Sequence, residues 1–569
     1  MNIWENSMNK KNMFIIFVLL MSVPMVWAEE EVDVKCASIF SDNMVLQRDK
    51  VVPVWGKAAV GEKVTVSFSG QTLEAITDKE GKWMVRLAAM KVCKIPAEMT
   101  ISGSNKITIK NILIGDIWLC GGQSNMGFPL TRVPEINTFV KDDDFPLFRI
   151  ARVKQQFGTV PKDEINVSWQ GYDKNNLNGL PGVPTLFGRR LYIETGVPIG
   201  ILQCSVGGSS TYSWISNETA KKEPYKEYLS NYTRIFGNWE VEKEKIFKES
   251  LEKYNKNYPK IKEKIKELKS QNKTIPENMQ RPVEVLHPYY DHHLYRRYPG
   301  CFYNGMLYAL FPFACKGIAW YQGESDRGRS YTYRFVLPPM IEDWRAQFNQ
   351  GDLPFYIVQL PDIGKQKPNP EIRPKSAVSI VRESQAVVAQ QFNNCEIAVI
   401  FDNNETGDVH PLNKHLPAER LARIALAKDY GKDIAFNGPT YERMEKKENT
   451  IRIHFTKVDK GLVVAQRKNL MLMNITAVDE SLRHFTIAAE DRVFHHADAV
   501  IDGETVIVSS KSVSDPVAVR YAWFDAPHKC NFYDKNGLPV HQFRTDDWPL
   551  SDVKIIPLKP KFFMKREVP

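Results

Sequence analysis

The sequence predicts an α/β fold, a parallel sheet flanked by helices, with one β-rich region before it and another after it. Between residues 111 and 434, near-continuous apolar runs alternate with longer, helix-compatible stretches. Runs that are apolar throughout suit strands buried on both faces, and the long spacers suit the crossovers that parallel strands require. On either side of that region the runs are short, alternate apolar with polar residues and are punctuated by Gly and Asp, as half-buried antiparallel strands are. At 569 residues the chain has room for several domains of roughly 150 residues each.

Taken in order, residues 1–28 hold Lys10 and Lys11, an apolar run from Met13 to Met21, and Val26-Trp27-Ala28. A charged start, a hydrophobic middle and a small-residue end predict a cleaved signal peptide and a periplasmic or secreted mature protein. The alternative of a membrane anchor needs about 20 apolar residues, and this run is shorter, so no membrane span is expected after cleavage. Residues 29–110 read as an N-terminal β-sandwich, with strands at Val51 to Val54, Lys63 to Phe68, Trp83 to Leu87 and Lys106 to Lys110. Residues 111–434 carry the apolar runs Ile114 to Cys120, Phe148 to Val153, Ile199 to Cys204, Gly317 to Tyr321, Pro354 to Leu360 and Glu396 to Phe401. A charged insertion interrupts them from about 218 to 300: Phe247, Leu251, Tyr254 and Tyr258 share a helix face, Pro259 breaks it, and Ile261, Ile265 and Leu268 resume it. That pattern predicts a helical hairpin packed on the body. Residues 435–569 return to alternation, as in Thr450 to Phe455 and Thr505 to Ser509.

Composition narrows the function. The net charge is +9, but the lysines sit in mixed-sign stretches such as Glu242 to Lys269, a solvated surface and no nucleic-acid stripe. Eight cysteines are too few for a disulfide scaffold, and several lie in apolar runs as buried thiols would. His287, Asp291, His292 and His293 form a cluster, but adjacent histidines do not easily turn toward one ion, so a polar loop is expected and no metal.

In an open parallel sheet, ligands bind beyond the carboxyl ends of the strands. The residues there are Gly122-Gln123-Ser124-Asn125, Ser205-Val206-Gly207-Gly208-Ser209, Gln322-Gly323-Glu324-Ser325 and Asp402-Asn403-Asn404-Glu405, with Gly407-Asp408-Val409-His410-Pro411 close behind. These are the parts of a serine hydrolase. Ser124 needs an imidazole to accept its proton, and His410 suits that role. The oxyanion needs fixed donors; the N–H of Ser124, an N–H at Gly207 or Gly208 and the Gln322 amide are candidates, with Glu324 beside them at the same edge. A carboxylate usually holds the imidazole tautomer, and Asp408 is nearest in sequence.

The stretches "GDIWLCGGQSNM", "SVGGSS", "GIAWYQGESD" and "GDVHPLNK" resemble successive blocks of the sialate O-acetylesterases, a family of the GDSL/SGNH hydrolase class. The resemblance continues in "DNMVLQRDKVVPVWGKAAVGEKVTV", in "YPGCFYNGMLYALFPFACKGIAWYQGESD" and in "AVRYAWFDAPHKCNFYDKNGLPVHQFRTDDW", leaving chiefly the charged insertion unmatched. It implies a three-layer α/β/α SGNH domain with accessory β-domains. It also implies Ser124 as nucleophile, His410 as base, and Gly207 or Gly208 with Gln322 at the oxyanion. The implied reaction is hydrolysis of an acetyl ester of a sialic acid, at the 9-O position foremost, through an acetyl-enzyme, without metal or cofactor. The class places its acid three residues before the histidine, where this chain has Gly407, so Asp408, Asp402, Glu324 and a main-chain carbonyl all stay open for that role. A sialic acid carboxylate calls for a guanidinium, and Arg382, Arg296, Arg297 and Arg327 are candidates. Trp214 and Tyr321 are candidates to line a sugar pocket, while Trp320 reads as core. Alternatives are an esterase of another acetylated polysaccharide such as xylan, or a non-catalytic glycan-binding protein. The oligomeric state is not legible.

Overall fold

The computed structural model describes residues 33–550 except Pro224, 272–294, 366–370, Pro374, Asn404, Thr406 and 468–473. The expected signal segment 1–28 and the residues His287, Asp291, His292 and His293 lie outside the described residues.

The strand Lys106–Gly122 runs for 17 residues because its sequence changes character without meeting a breaker. It alternates up to Lys110, absorbs an irregularity at Asn111 (φ +56°), and continues as an almost wholly buried run. Its first half pairs antiparallel with Cys93–Ser102 and parallel with Val45–Gln47. Its second half lies parallel between Ile199–Ser205 and Gly317–Tyr321. The separate strands expected at Lys106 to Lys110 and Ile114 to Cys120 are thus one, and the expected boundary at 110/111 falls inside it.

The sheet around this strand has the order Trp169–Gly171, Phe148–Arg152, Ile199–Ser205, Lys106–Gly122, Gly317–Tyr321, Phe355–Val358, Cys395–Ala398. Every apolar run read from the sequence becomes one of these strands, all parallel, and only Trp169–Gly171 is antiparallel at the edge. Because the first of the parallel strands in the chain lies mid-sheet, the winding reverses beside it, which leaves a crevice at its carboxyl end. Alternate side chains face opposite sides. Trp118 and Cys120 share a core with Phe187 of helix Gly182–Thr195 and Leu421 of helix His415–Asp429. Ile117 and Leu119 share another with Val336 and Trp344 of helix Tyr333–Phe348 and Val381 of helix Ala377–Gln391. Helices therefore cover both faces.

Before the parallel sheet, antiparallel strands including Val52–Lys57, Lys63–Phe68 and Lys82–Leu87 contribute their buried residues to one core. After it, Thr440–Lys447, Thr450–Thr456, Thr505–Ser509 and Asp498–Asp502 form one of several small antiparallel sheets. The insertion departs from expectation: Tyr225–Ser270 is one 46-residue helix that continues through Pro259. Proline forfeits one hydrogen bond, and the flanking Lys, Glu and Leu are strong helix formers on either side. A second arm would fall on residues 272–294, outside the described residues. None of the eight cysteines is joined in a disulfide, and six of them are buried. Among the described residues no helix is long and apolar enough to cross a membrane.

Gly122 closes the long strand at φ +134°, and a Cβ there would stand 2.1 Å from the carbonyl oxygen of Tyr321. Gly122→Ala is expected to lower unfolding free energy by on the order of 3 kcal/mol, from backbone strain plus overpacking, measured by urea unfolding.

Candidate active site

The chain leaves Gly122 in a tight turn. Gln123 donates its N–H to the carbonyl of Tyr321 at 3.0 Å, and the N–H groups of Met126 and Gly127 both return to the carbonyl of Gln123. Ser124 sits at the turn's outer edge, and its own N–H has no acceptor among the described residues. Gly207, just after Ile199–Ser205, approaches so closely that a Cβ on it would lie 3.5 Å from the Ser124 Cβ; its N–H likewise lacks an acceptor among the described residues. Gly208, at φ +73°, turns the chain and faces Arg296 instead.

His410 arrives from the loop between the strand Cys395–Ala398 and the helix His415–Asp429, and its Nε2 is 2.8 Å from the Ser124 Oγ, 286 residues away in sequence. That loop is held from below. Asn125 donates from Nδ2 to the carbonyl of Val409 at 2.9 Å and to the Glu324 carboxylate. Lys414 donates from Nζ to the Asn125 Oδ1 at 2.7 Å and to the carbonyl of Pro411. The carbonyls on both sides of His410 are thereby pinned, while Glu405 accepts the N–H groups of Leu412 and Asn413. Burial dominates the electrostatics of this layer. It lowers the Lys414 ammonium to about 7, opposed by Glu324 and Glu405, and raises the Glu324 carboxyl, opposed by its bond from Asn125. Asn125, Lys414 and Glu405 were in the motifs or strand-end segments singled out by sequence, but only their burial reveals what they hold.

The imidazole of His410 is half-buried, and that burial lowers its pKa below the usual value, partly offset by Asp408. Asp408 stands 3.5 Å from the His410 Nδ1 with 70% of its side chain exposed, and its Oδ1 also accepts the His410 N–H at 3.0 Å. Asp402 is elsewhere: it is fully buried, bound by Arg420 at 2.6 Å, by Arg467 at 3.2 Å and by the Tyr533 hydroxyl, and these cations hold its carboxyl at about 2.

Several sequence expectations are corrected by this geometry. Gln322 is fully buried with both amide hydrogens committed, to the carbonyl of Ser209 at 3.1 Å and to Asp326 at 2.7 Å, while its Oε1 accepts from Thr211; no donor is left for an oxyanion. Glu324 faces Asn125 beneath the site rather than a substrate. Arg382 is fully buried and spends its guanidinium on the carbonyls of Leu360, Pro361, Phe524 and Asp525. Trp214, Trp320 and Tyr321 are all fully buried, the two tryptophans packed edge to face at 5.9 Å. Aromatic residues on or beside a sheet this well covered serve its core.

Above Ser124 opens a cavity of about 240 Å³, lined by Ser124, Gly127, Phe128, Pro129, Arg132, Arg152, Gln155, Ser205, Gly207 and His410. None of Arg382, Arg296, Arg297 and Arg327 lines it. The sequence signal for Arg152 was its place at the end of the strand Phe148–Arg152; Arg132, at the end of the short helical turn Leu130–Arg132, carried none. Among the described residues no group of three or more His, Cys, Asp or Glu is placed to hold a metal ion. The hydroxyl, the imidazole and two unengaged N–H groups around one cavity can carry out acyl transfer.

Comparison with known proteins agrees with that chemistry. Residues 300–412 match the family model described as carbohydrate esterase, sialic acid-specific acetylesterase. The sialate O-acetylesterase of Mus musculus is 25% identical over 92% of this chain and 97% of its own length. That of Homo sapiens is 23% identical over 94% of this chain and 97% of its own. The crystal structure of a carbohydrate acetylesterase from Xanthomonas citri superposes with a TM-score of 0.70 at 27% identity, covering 91% of this chain and 100% of that one. With relatives matched over more than nine-tenths of the chain and a solved carbohydrate acetylesterase sharing the fold, the protein is similar over nearly its whole length to sialate O-acetylesterases, and its residues 300–412 match the sialic acid-specific acetylesterase model.

Proposed function

We propose that the protein hydrolyses O-acetyl esters of sialic acids, the 9-O-acetyl ester foremost, through an acetyl group carried on Ser124. The observation that carries this reading is the 2.8 Å contact between Ser124 Oγ and His410 Nε2 on the floor of an open cavity. With Nδ1 protonated, a tautomer that the Asp408 carboxylate favours electrostatically, Nε2 accepts the Ser124 proton as Oγ bonds to the acetyl carbon. The carbonyl oxygen becomes an oxyanion between the N–H groups of Ser124 and Gly207. Its collapse breaks the ester bond, and the departing sugar oxygen takes the proton back from His410. Water, deprotonated by the same nitrogen, then releases acetate and restores Ser124.

On this proposal residues 111–434 are an SGNH-class α/β/α catalytic domain, 29–110 and 435–569 are accessory β-domains, and 1–28 are a signal removed on export to the periplasm or beyond. Helices on both faces of the parallel sheet and the full-length match to sialate O-acetylesterases support it.

The decisive experiment is acetate release from 9-O-acetylated sialic acid and from acetylated xylan. Wild type should act on the former, and Ser124→Ala and His410→Ala should each lose about 10⁴-fold or more in kcat, since the pair acts as one unit. Acetate release that persists in Ser124→Ala would sink the reading. Asp408→Asn should cost about 10-fold or less, against about 10⁴ for a buried triad acid, because this carboxylate is exposed and 3.5 Å away. His410 must be neutral to act, and burial lowers its pKa. The pH profile of kcat/KM should therefore stay full above about 6.5, the free imidazole value, and fall only through a lower midpoint; an acid limb centred above 6.5 would contradict it. Lys414→Met, which releases the carbonyl beside His410, should lower kcat about 10-fold with little change in KM, read from steady-state kinetics.

A further inference from the structure

Two guanidiniums face the cavity over Ser124, and the proposed chemistry uses neither. Arg132 ends a short helical turn, Leu130–Arg132, and stacks over the ring of Phe128 at 4.9 Å, a ring that carries the Lys414 ammonium 4.5 Å away. Arg152 ends the strand Phe148–Arg152, whose last paired residue opposite it is Gln203 of the neighbouring strand. Among the described residues its guanidinium makes only a weak contact, Nη1 donating to the carbonyl of Gly179 at 3.5 Å. Among the described residues neither guanidinium is paired with a carboxylate, although most other arginines around the sheet are. Among the described residues no Asp or Glu lines the cavity; its ionisable residues are Arg132, Arg152 and His410. Arg132 also contributes to holding the His410 pKa down, so its field reaches the reacting imidazole.

A planar guanidinium presents paired donors that match a carboxylate, and a cavity with one sign of charge concentrates ligands of the other. The volume of about 240 Å³ is below the range of roughly 300–1,000 Å³ typical for drug-sized ligands, which suits one sugar unit better than a chain. We infer that Arg132 and Arg152 together bind the carboxylate of the substrate and thereby select acetyl esters of acidic sugars over those of neutral ones. The inference rests on the esterase reading above and names the residues that would set its substrate class.

The test compares three esters: 9-O-acetylated sialic acid, its carboxyl methyl ester, and the neutral 4-nitrophenyl acetate. For wild type, methylating the carboxylate should reduce kcat/KM about 10-fold or more, mostly through KM, and added salt should narrow the difference. In Arg132→Gln, in Arg152→Gln and in the double variant, the preference for the free acid over its methyl ester should shrink at least 5-fold, 5-fold and 25-fold. Wild type that treats the acid and its methyl ester alike overturns the inference, as do variants that lose activity on all three esters in equal proportion. Circular dichroism and thermal unfolding identify a variant that has merely unfolded, and Arg132→Lys and Arg152→Lys, which keep the charge, should then show a partial loss of preference. Absence of hydrolysis of any ester by wild type overturns the esterase reading itself, a result distinct from the loss of preference.

Discussion

The structure depends on the place where the strand Lys106–Gly122 stops. Its second half is hydrogen-bonded on both sides by parallel neighbours, so its carboxyl end cannot shift without breaking two ladders. At that end Gly122 lies against the Tyr321 carbonyl with no space for a side chain, and the chain turns at once. Ser124 is therefore held by a rigid element and yet faces an open cavity, a combination that suits a nucleophile. The same strand begins in the antiparallel sheet with Cys93–Ser102, so the N-terminal β region and the parallel sheet share a backbone, and Asp116 binds Arg48 at 2.9 Å and Gln47 at 2.9 Å across that join.

Beneath the serine and histidine lies a buried polar layer. Asn125, Glu324 and Lys414 are all at least nine-tenths shielded from solvent, a costly arrangement unless each group finds partners. Asn125 supplies them, linking the carboxylate on one side to the ammonium on the other while its amide also holds the Val409 carbonyl. Orientation of His410 comes largely from these main-chain anchors, and the exposed Asp408 adds an electrostatic bias. A second buried network, Asp402 with Arg420, Arg467 and Tyr533, serves a different end: it ties the last parallel strand to the C-terminal sheets. Removing one member of such a network strands the opposite charge, which makes it a source of specificity in assembly more than of net stability.

The division between these two networks explains why neighbouring acidic residues have different fates. Asp402 and Asp408 are six positions apart, but one closes a dry interface between sheets and the other projects into solvent beside the imidazole. Proximity in sequence to a histidine says little about which carboxylate it meets.

Much of this was legible from local chemistry. Apolar runs without alternation marked each parallel strand, because burial on both faces demands it, and the ends of those strands drew attention to Ser124, Gly207 and His410. The resemblance of short blocks pointed to the acetylesterase family. What the sequence left open was decided by long-range packing. Gln322, at a strand end like the others, turns inward because Ser209, Thr211 and Asp326 meet it there. Arg382, proposed for a substrate, is enclosed by carbonyls that include two from a segment more than 140 residues away, while Arg132 and Arg152 reach the cavity from a helical turn and a strand end. Helix Tyr225–Ser270 passes through a proline that local rules treat as a break. Periodicity and burial are properties of a few consecutive residues, so a chain declares them by itself; which polar groups meet across it depends on contacts that exist only once the sheet has closed.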